Sequence, residues 1–210
     1  MLRFFALLCV GGFSAICLAG DNIEKLPQPH YRPKESDPSW LKFAAQFHGH
    51  LGPMMVFGAR MGMAALHAVD AKGYFDVEIT CEGPLVKPPA SCFLDGLQIS
   101  TGATLGKRNL EWIDGKKIVV HVKNTQTGKT ATLQPTETFL ALLPQPTADS
   151  KGKSDGKQRE QSRNHHLSDD LSRKIAIMPE KEILTIRHPQ AEKGGKKGER
   201  EEKVIAAKSG

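Results

Sequence analysis

Phe47-His48-Gly49-His50-Leu51-Gly52-Pro53 lies between two stretches of helical spacing, and its reading decides the architecture. Upstream, Trp40, Leu41, Phe43, Ala44 and Phe47 recur every three or four residues, behind Ser36 or Asp37 as cap and Pro38 in the first turn. Downstream, between Gly52 and Ala71, Met55, Val56, Ala59, Met63, Leu66 and Val69 recur in the same way and predict a second, amphipathic helix. The seven residues therefore join two helices and carry two imidazoles at the junction. The methionine-rich face reads as core packing, because a thioether adapts to irregular gaps.

Further along, Tyr74 to Cys81 alternates like a strand, and Gly83-Pro84 through Pro88-Pro89 reads as a loop. Ser91 is placed to cap a short helix carrying Phe93, Leu94, Leu97 and Ile99, ending near Gly102. Leu110 to Leu133 predicts an antiparallel meander turning at Asp114-Gly115 and at Gln126-Thr127-Gly128. Pro135 then opens a helix leading into Phe139 to Leu143. The expected class is α+β, a small antiparallel sheet packed against helices in one core domain over residues 37–146.

Both ends differ from this core. Arg3, the apolar stretch from Phe4 to Val10 and small residues up to Ala19 have the layout of a secretory signal peptide over residues 1–19. Its apolar part, broken by Gly11, Gly12 and Ser14, falls short of the roughly 20 residues a spanning helix needs. Cleavage after Ala19 predicts a periplasmic or secreted protein with no membrane attachment. Residues 20–36, with Pro27, Pro29 and Pro33, predict an extended leader. Residues 147–165 have the composition of a low-complexity linker, and the tail over 190–210 that of a disordered basic segment. Between them, Leu171, Ile175, Ile177, Ile183, Leu184 and Ile186 predict a helix, a turn at Pro179 and an extended piece packing back on the core over 166–189.

The net charge of +6 is uneven: residues 1–146 hold 14 Lys/Arg against 12 Asp/Glu, and residues 147–210 hold 15 against 11. With most of the excess in the C-terminal stretch, and no Phe, Trp or Tyr after Phe139, the charge reads as solvated linker and tail rather than a nucleic-acid surface.

His48 and His50 flank one glycine, so a turn brings both imidazoles toward one point, and imidazole binds transition metals well. The same spacing also occurs in surface and capping histidines. Cys92, at a predicted helix start where the macrodipole favours a thiolate, is a candidate third metal ligand. The competing reading is a Cys81–Cys92 disulfide that staples a binding module without metal. Asp95 and Gln98 share the helical face of Cys92. Asp95 would then either orient a ligand imidazole or act as a base on metal-bound water, and the alternative is a capping carboxylate beside an exposed amide. The segment from Thr101 to Lys107 offers glycines, hydroxyls and a lysine to an anion, but lacks the spacing of a nucleotide-binding P-loop.

Taken together, Phe47-His48-Gly49-His50-Leu51-Gly52-Pro53, Gly58-Ala59-Arg60-Met61-Gly62, Ser91-Cys92-Phe93-Leu94-Asp95-Gly96-Leu97-Gln98 and Thr101-Gly102-Ala103-Thr104-Leu105-Gly106-Lys107-Arg108-Asn109-Leu110 resemble the formylmethanofuran dehydrogenase FmdE family in content and order. The resemblance implies an α+β core that often forms a homodimer and binds a divalent metal, commonly zinc, near the His-x-His segment and Cys92. Archaeal members tend to carry cysteines where this chain has Gly52 and Ala103, which leaves His48, His50 and Cys92 as the ligand set. The family name refers to a cytoplasmic carbon dioxide-reducing enzyme, whereas the leader predicts export. The fold and the metal site are therefore carried over, and the reaction is not. The expectation is an exported zinc protein, either a metal-dependent enzyme or an accessory or carrier protein for a redox enzyme, with Asp95, Gln98, Thr101 and Lys107 lining the cleft.

Overall fold

The computed structural model describes residues 27–143 and 168–189. The expected signal peptide, linker and tail lie outside these residues. The elements run α1 (Ser39–His48), α2 (Pro53–Ala68), β1 (Val77–Gly83), α3 (Cys92–Thr101), β2 (Leu110–Asp114), β3 (Val119–Asn124), β4 (Thr130–Pro135), α4 (Glu137–Leu140), α5 (168–177), α6 (Glu180–Ile183) and β5 (Leu184–Arg187). The class is α+β. Among the described residues no helix is long and apolar enough to cross a membrane.

The sheet has the order β2-β1-β3-β4-β5. The antiparallel meander expected over residues 110–133 is realised only from β3 to β4. β2 does not pair with β3; it runs parallel to β1, with Ile79 opposite Leu110 and Cys81 opposite Trp112. β1 is inserted between them and pairs antiparallel with β3. The reason lies in the apolar content of the two strands. β1 buries Val77, Ile79, Cys81 and Gly83, whereas β2 buries only Leu110, so β1 takes an interior position and β2 the edge. Asp114-Gly115 is therefore not a two-residue hairpin but the start of a crossing over the end of β1. A Cβ on Gly115 would lie 3.2 Å from the Gly83 nitrogen, and Trp112 Nε1 donates to the Gly83 carbonyl at 3.0 Å.

Alternate residues of β1, β3 and β4 face the core, where α2 lies against β3 and β4. Phe57 of α2 stacks between Phe93 of α3 and Phe139 of α4, with ring centroids 4.9 and 4.6 Å away. Met55 and Met61 are fully buried in this cluster, and Met63 lies partly buried. Beyond Pro179, which precedes α6, β5 adds to the free edge of β4 with Pro135 opposite Leu184. Pro135 thus ends a strand, and Thr136 caps α4 by accepting the Phe139 N–H at 3.0 Å.

Neither Ser36 nor Asp37 caps α1, whose N-cap is Pro38 without a side-chain bond. Asp37 instead ties three segments together: its carboxylate accepts from Tyr31 Oη at 2.7 Å, the Lys34 N–H at 2.9 Å and Arg173 Nε of α5 at 2.8 Å. Its side chain is 5% exposed. Burial works against the charge, but these three donors and the guanidinium outweigh it and hold the Asp37 carboxyl below its ordinary value. A lowered folded value means that the contribution is complete above the unfolded-state pKa and is lost as the pH falls through the folded one. Asp37→Ala is expected to cost about 2 kcal/mol in urea denaturation at neutral pH. The gap from wild type should hold down to about pH 5 and shrink below about pH 4.

Candidate metal centre

α1 ends at His48 because Gly49 adopts a left-handed conformation (φ 92°), its N–H returning to the Ala45 carbonyl at 2.8 Å. The chain reverses there and turns His50 back beside His48, with ring centroids 4.7 Å apart at 37°. Gly52 has no side chain between them. A Cβ at that position would lie 3.4 Å from His50 Nε2 and 3.7 Å from His48 Nε2. Both Nε2 atoms thus face one small space that the glycine leaves open.

Asp95 of α3 sets the chemistry of the first imidazole. Its Oδ2 lies 2.7 Å from His48 Nδ1. A carboxylate only accepts, so the ring proton belongs on Nδ1 and the Nε2 lone pair is left available. That Nε2 is buried and has no hydrogen-bond partner, in a side chain only 8% exposed. A buried polar atom without a partner costs about 1–3 kcal/mol, so an acceptor left bare at this point favours a ligand that takes its lone pair. An imidazole oriented by a carboxylate on its far nitrogen is the usual arrangement of a metal-bound histidine.

Cys92, the first residue of α3, lines a cavity of about 110 Å³ together with His50, Gly52, Pro53, Met54, Pro89 and Ser168. The helix-dipole argument predicted a lowered thiol pKa. In the structure burial, seconded by the nearby Asp95 charge, pushes the Cys92 thiol up. Desolvation outweighs the dipole because the sulfur is partly covered by its loop and by the cavity wall. The disulfide alternative is not realised: Cys81 and Cys92 are separate thiols. Cys81 points into the core from the interior strand β1, and burial raises its thiol to about 12. It serves as a small apolar residue.

Among the described residues no three His, Cys, Asp or Glu side chains are gathered closely enough to enclose a metal ion. What the fold brings together is the pair of imidazoles with Asp95 behind one of them. Cys92 shares the cavity of His50 without closing the cluster. The donor set still fits a borderline divalent ion such as zinc, which takes imidazole nitrogen and cysteine sulfur.

Gln98 and Thr101 lie toward the far end of α3, about 9 and 13 Å along the axis from Cys92 at the normal rise per residue, and Lys107 lies in the loop beyond it. Thr101 is buried, donating to the Leu97 carbonyl at 2.6 Å and accepting the Ala103 N–H at 3.1 Å. Gln98 Oε1 accepts from Leu105 N, Asn109 Oδ1 from Thr104 N, and Thr104 Oγ1 from Lys107 N. Lys107 Nζ donates to the Gly102 carbonyl at 2.9 Å and lies 5.7 Å from the Phe75 ring centroid. The loop spends these donors on its own acceptors, so the segment that could have cradled an anion is a structural clasp. Of the cleft-lining residues expected from sequence, only Asp95 reaches the imidazoles.

Two features of the site were not assigned a role from the sequence. Gly52 acts through a missing side chain, and Ser168 reaches the cavity from α5, far away in sequence. Arg60 was visible in a motif but its role was not: it donates to the Ile175 and Ala176 carbonyls at 3.1 and 2.7 Å, holding the end of α5.

The model of the FmdE family, described as belonging to the molybdenum formylmethanofuran dehydrogenase operon, matches residues 47–185. A probable S-adenosyl-L-methionine-binding protein of Archaeoglobus fulgidus is 30% identical over 81 residues, 38% of this chain. The match spans only 22% of that relative's length. A crystal structure of a tungsten formylmethanofuran dehydrogenase FmdE-like protein from Syntrophus aciditrophicus is 17% identical and aligns over 71% of each chain with a TM-score of 0.44.

Proposed function

Because this chain belongs to the FmdE family, we propose that it is an exported protein that holds a divalent metal, zinc first among candidates, on His48, His50 and Cys92. The observation that carries this reading is the buried, unpartnered Nε2 of His48, whose opposite nitrogen is held by Asp95 at 2.7 Å. His48 and His50 would supply nitrogen to the ion, and Cys92 sulfur from the shared cavity wall. When bound, zinc would supply a Lewis-acidic centre. Asp95 already accepts a hydrogen bond from His48 Nδ1–H, which supports a ligand-orienting role over that of a base. The reading therefore favours an accessory or carrier protein, handing a metal or metal-bound group to a redox enzyme, over an enzyme using Asp95 for proton transfer. Export rests on the Arg3-led apolar leader.

Native mass spectrometry with elemental analysis should find one zinc per chain. Asp95→Asn should weaken zinc binding by about 10-fold or more while the far-ultraviolet circular dichroism stays unchanged. A chain that takes up no divalent ion from an equimolar zinc solution would end this reading. An enzyme would instead retain its metal against a modest chelator and lose turnover on Asp95→Asn.

A further inference from the structure

From the way the N-terminal strap is pinned, we propose that His30 supplies a third imidazole to the metal centre, joining His48, His50 and the Cys92 sulfur. This inference rests on the metal-binding reading above.

Residues 27–31 are not a loose leader. Gln46 Nε2 of α1 donates to the Pro27 carbonyl at 2.7 Å. The His30 N–H donates to the Gly49 carbonyl at 2.6 Å, and His30 and His50 form an isolated parallel β-bridge. One residue on, Tyr31 is fastened to Asp37, itself held by Arg173 of α5. The bridge thus has a hydrogen-bonded anchor on each side. The His30 side chain is not what holds the strap: it is exposed, and no neighbour among the described residues bonds its ring.

The pairing fixes where that ring can go. Bridge partners carry their side chains on the same side of the two strands, about 5 Å apart at the backbone. Side chains two residues apart along an extended strand also share a side, so the Cβ direction of Gly52 is that of His50. That direction is the open space faced by the Nε2 atoms of His48 and His50. His30 therefore stands beside His50 on the ligand-facing side. As an exposed side chain it can turn between staggered rotamers at little cost. Two buried or half-buried imidazoles, a third on a pinned strap and the Cys92 sulfur would together make the four donors of a tetrahedral zinc ion.

The test uses the full chain, titrated with Zn²⁺ against a chromophoric chelator and with Co²⁺ as a spectroscopic probe. His30→Ala should lower Zn²⁺ affinity at least about 10-fold and shift the visible Co²⁺ bands, and X-ray absorption should count three imidazoles in wild type and two in the variant. His30→Asn, which keeps the polarity and the backbone bridge, should match His30→Ala. Wild-type affinity, unchanged bands and an unchanged imidazole count in both variants would overturn the proposal and leave the His48/His50/Cys92 reading standing. If wild type binds neither ion, the metal reading itself fails and takes the role of His30 with it.

Discussion

Gly96→Val is expected to cost about 3 kcal/mol or more in urea denaturation, lowering the melting temperature by about 10 °C. A Cβ on Gly96 would lie 2.0 Å from the Met55 carbonyl oxygen, 2.5 Å from Ala59 N and 2.8 Å from Gly58 C. Every one of these atoms is backbone, so no side chain can swing aside, and α2 and α3 must separate. The contact is reciprocal, since a Cβ on Gly58 would lie 2.0 Å from the Phe93 carbonyl oxygen. Gly62 should tolerate alanine better, because its obstacles, the Ser100 hydroxyl at 2.0 Å and the Thr101 methyl at 2.8 Å, are side-chain atoms rather than backbone. Gly106→Ala, with only Thr104 Oγ1 at 3.8 Å, provides the control and should change stability by less than about 0.5 kcal/mol. The consequence reaches the site. α3 carries Asp95 and Cys92 while α2 begins directly after Gly52, so prising the helices apart also withdraws the carboxylate from His48.

His48→Ala should show the opposite balance. Zinc affinity is expected to fall by more than about 100-fold, beyond the 10–100-fold typical of losing an outer partner of a ligand. Stability without metal should change little, because the lost packing is offset by removing a buried nitrogen that has no partner. Thermal scans with and without zinc separate the two effects. Wild type at a zinc concentration 100 times the dissociation constant gains about 2.7 kcal/mol, and the variant should gain almost nothing. A variant that loses several kcal/mol without metal while keeping its zinc-induced gain would show His48 to be a core histidine and not a ligand.

Several parts of this arrangement are legible in the residues. The turn between α1 and α2 follows from the helical spacing on either side and from Gly49 at the reversal. The end of α3 at Gly102 follows from a glycine at a left-handed C-cap, whereas Ser91 stands at its N-cap position without the side-chain capping bond expected of it. The likeness of the ordered motifs to the FmdE family was equally visible, because motif content and order survive without any knowledge of contacts.

What periodicity could not provide was partnership. Turn chemistry at Asp114-Gly115 suggested a hairpin, yet which strand sits beside β2 depends on which strand has most apolar surface to bury, and β1 took the interior place between β2 and β3. Spacing on one helical face suggested that Gln98 would follow Asp95 into a cleft. Its amide instead serves the 103–107 loop, because the backbone N–H groups of a tight loop must be satisfied nearby.

Local pattern alone therefore sets most of the helices and strands, the α+β class and the presence of two imidazoles at one turn, all of which depend on spacing and chain reversal. It took the folded chain to decide that Asp95 holds His48, that Gly52 leaves the space both rings face, that Cys92 stays a covered thiol and that the strap bearing His30 is pinned beside His50. Most of these depend on residues far apart along the chain, and burial, hydrogen-bond satisfaction and close helix packing act on neighbours in space, which no periodic pattern records.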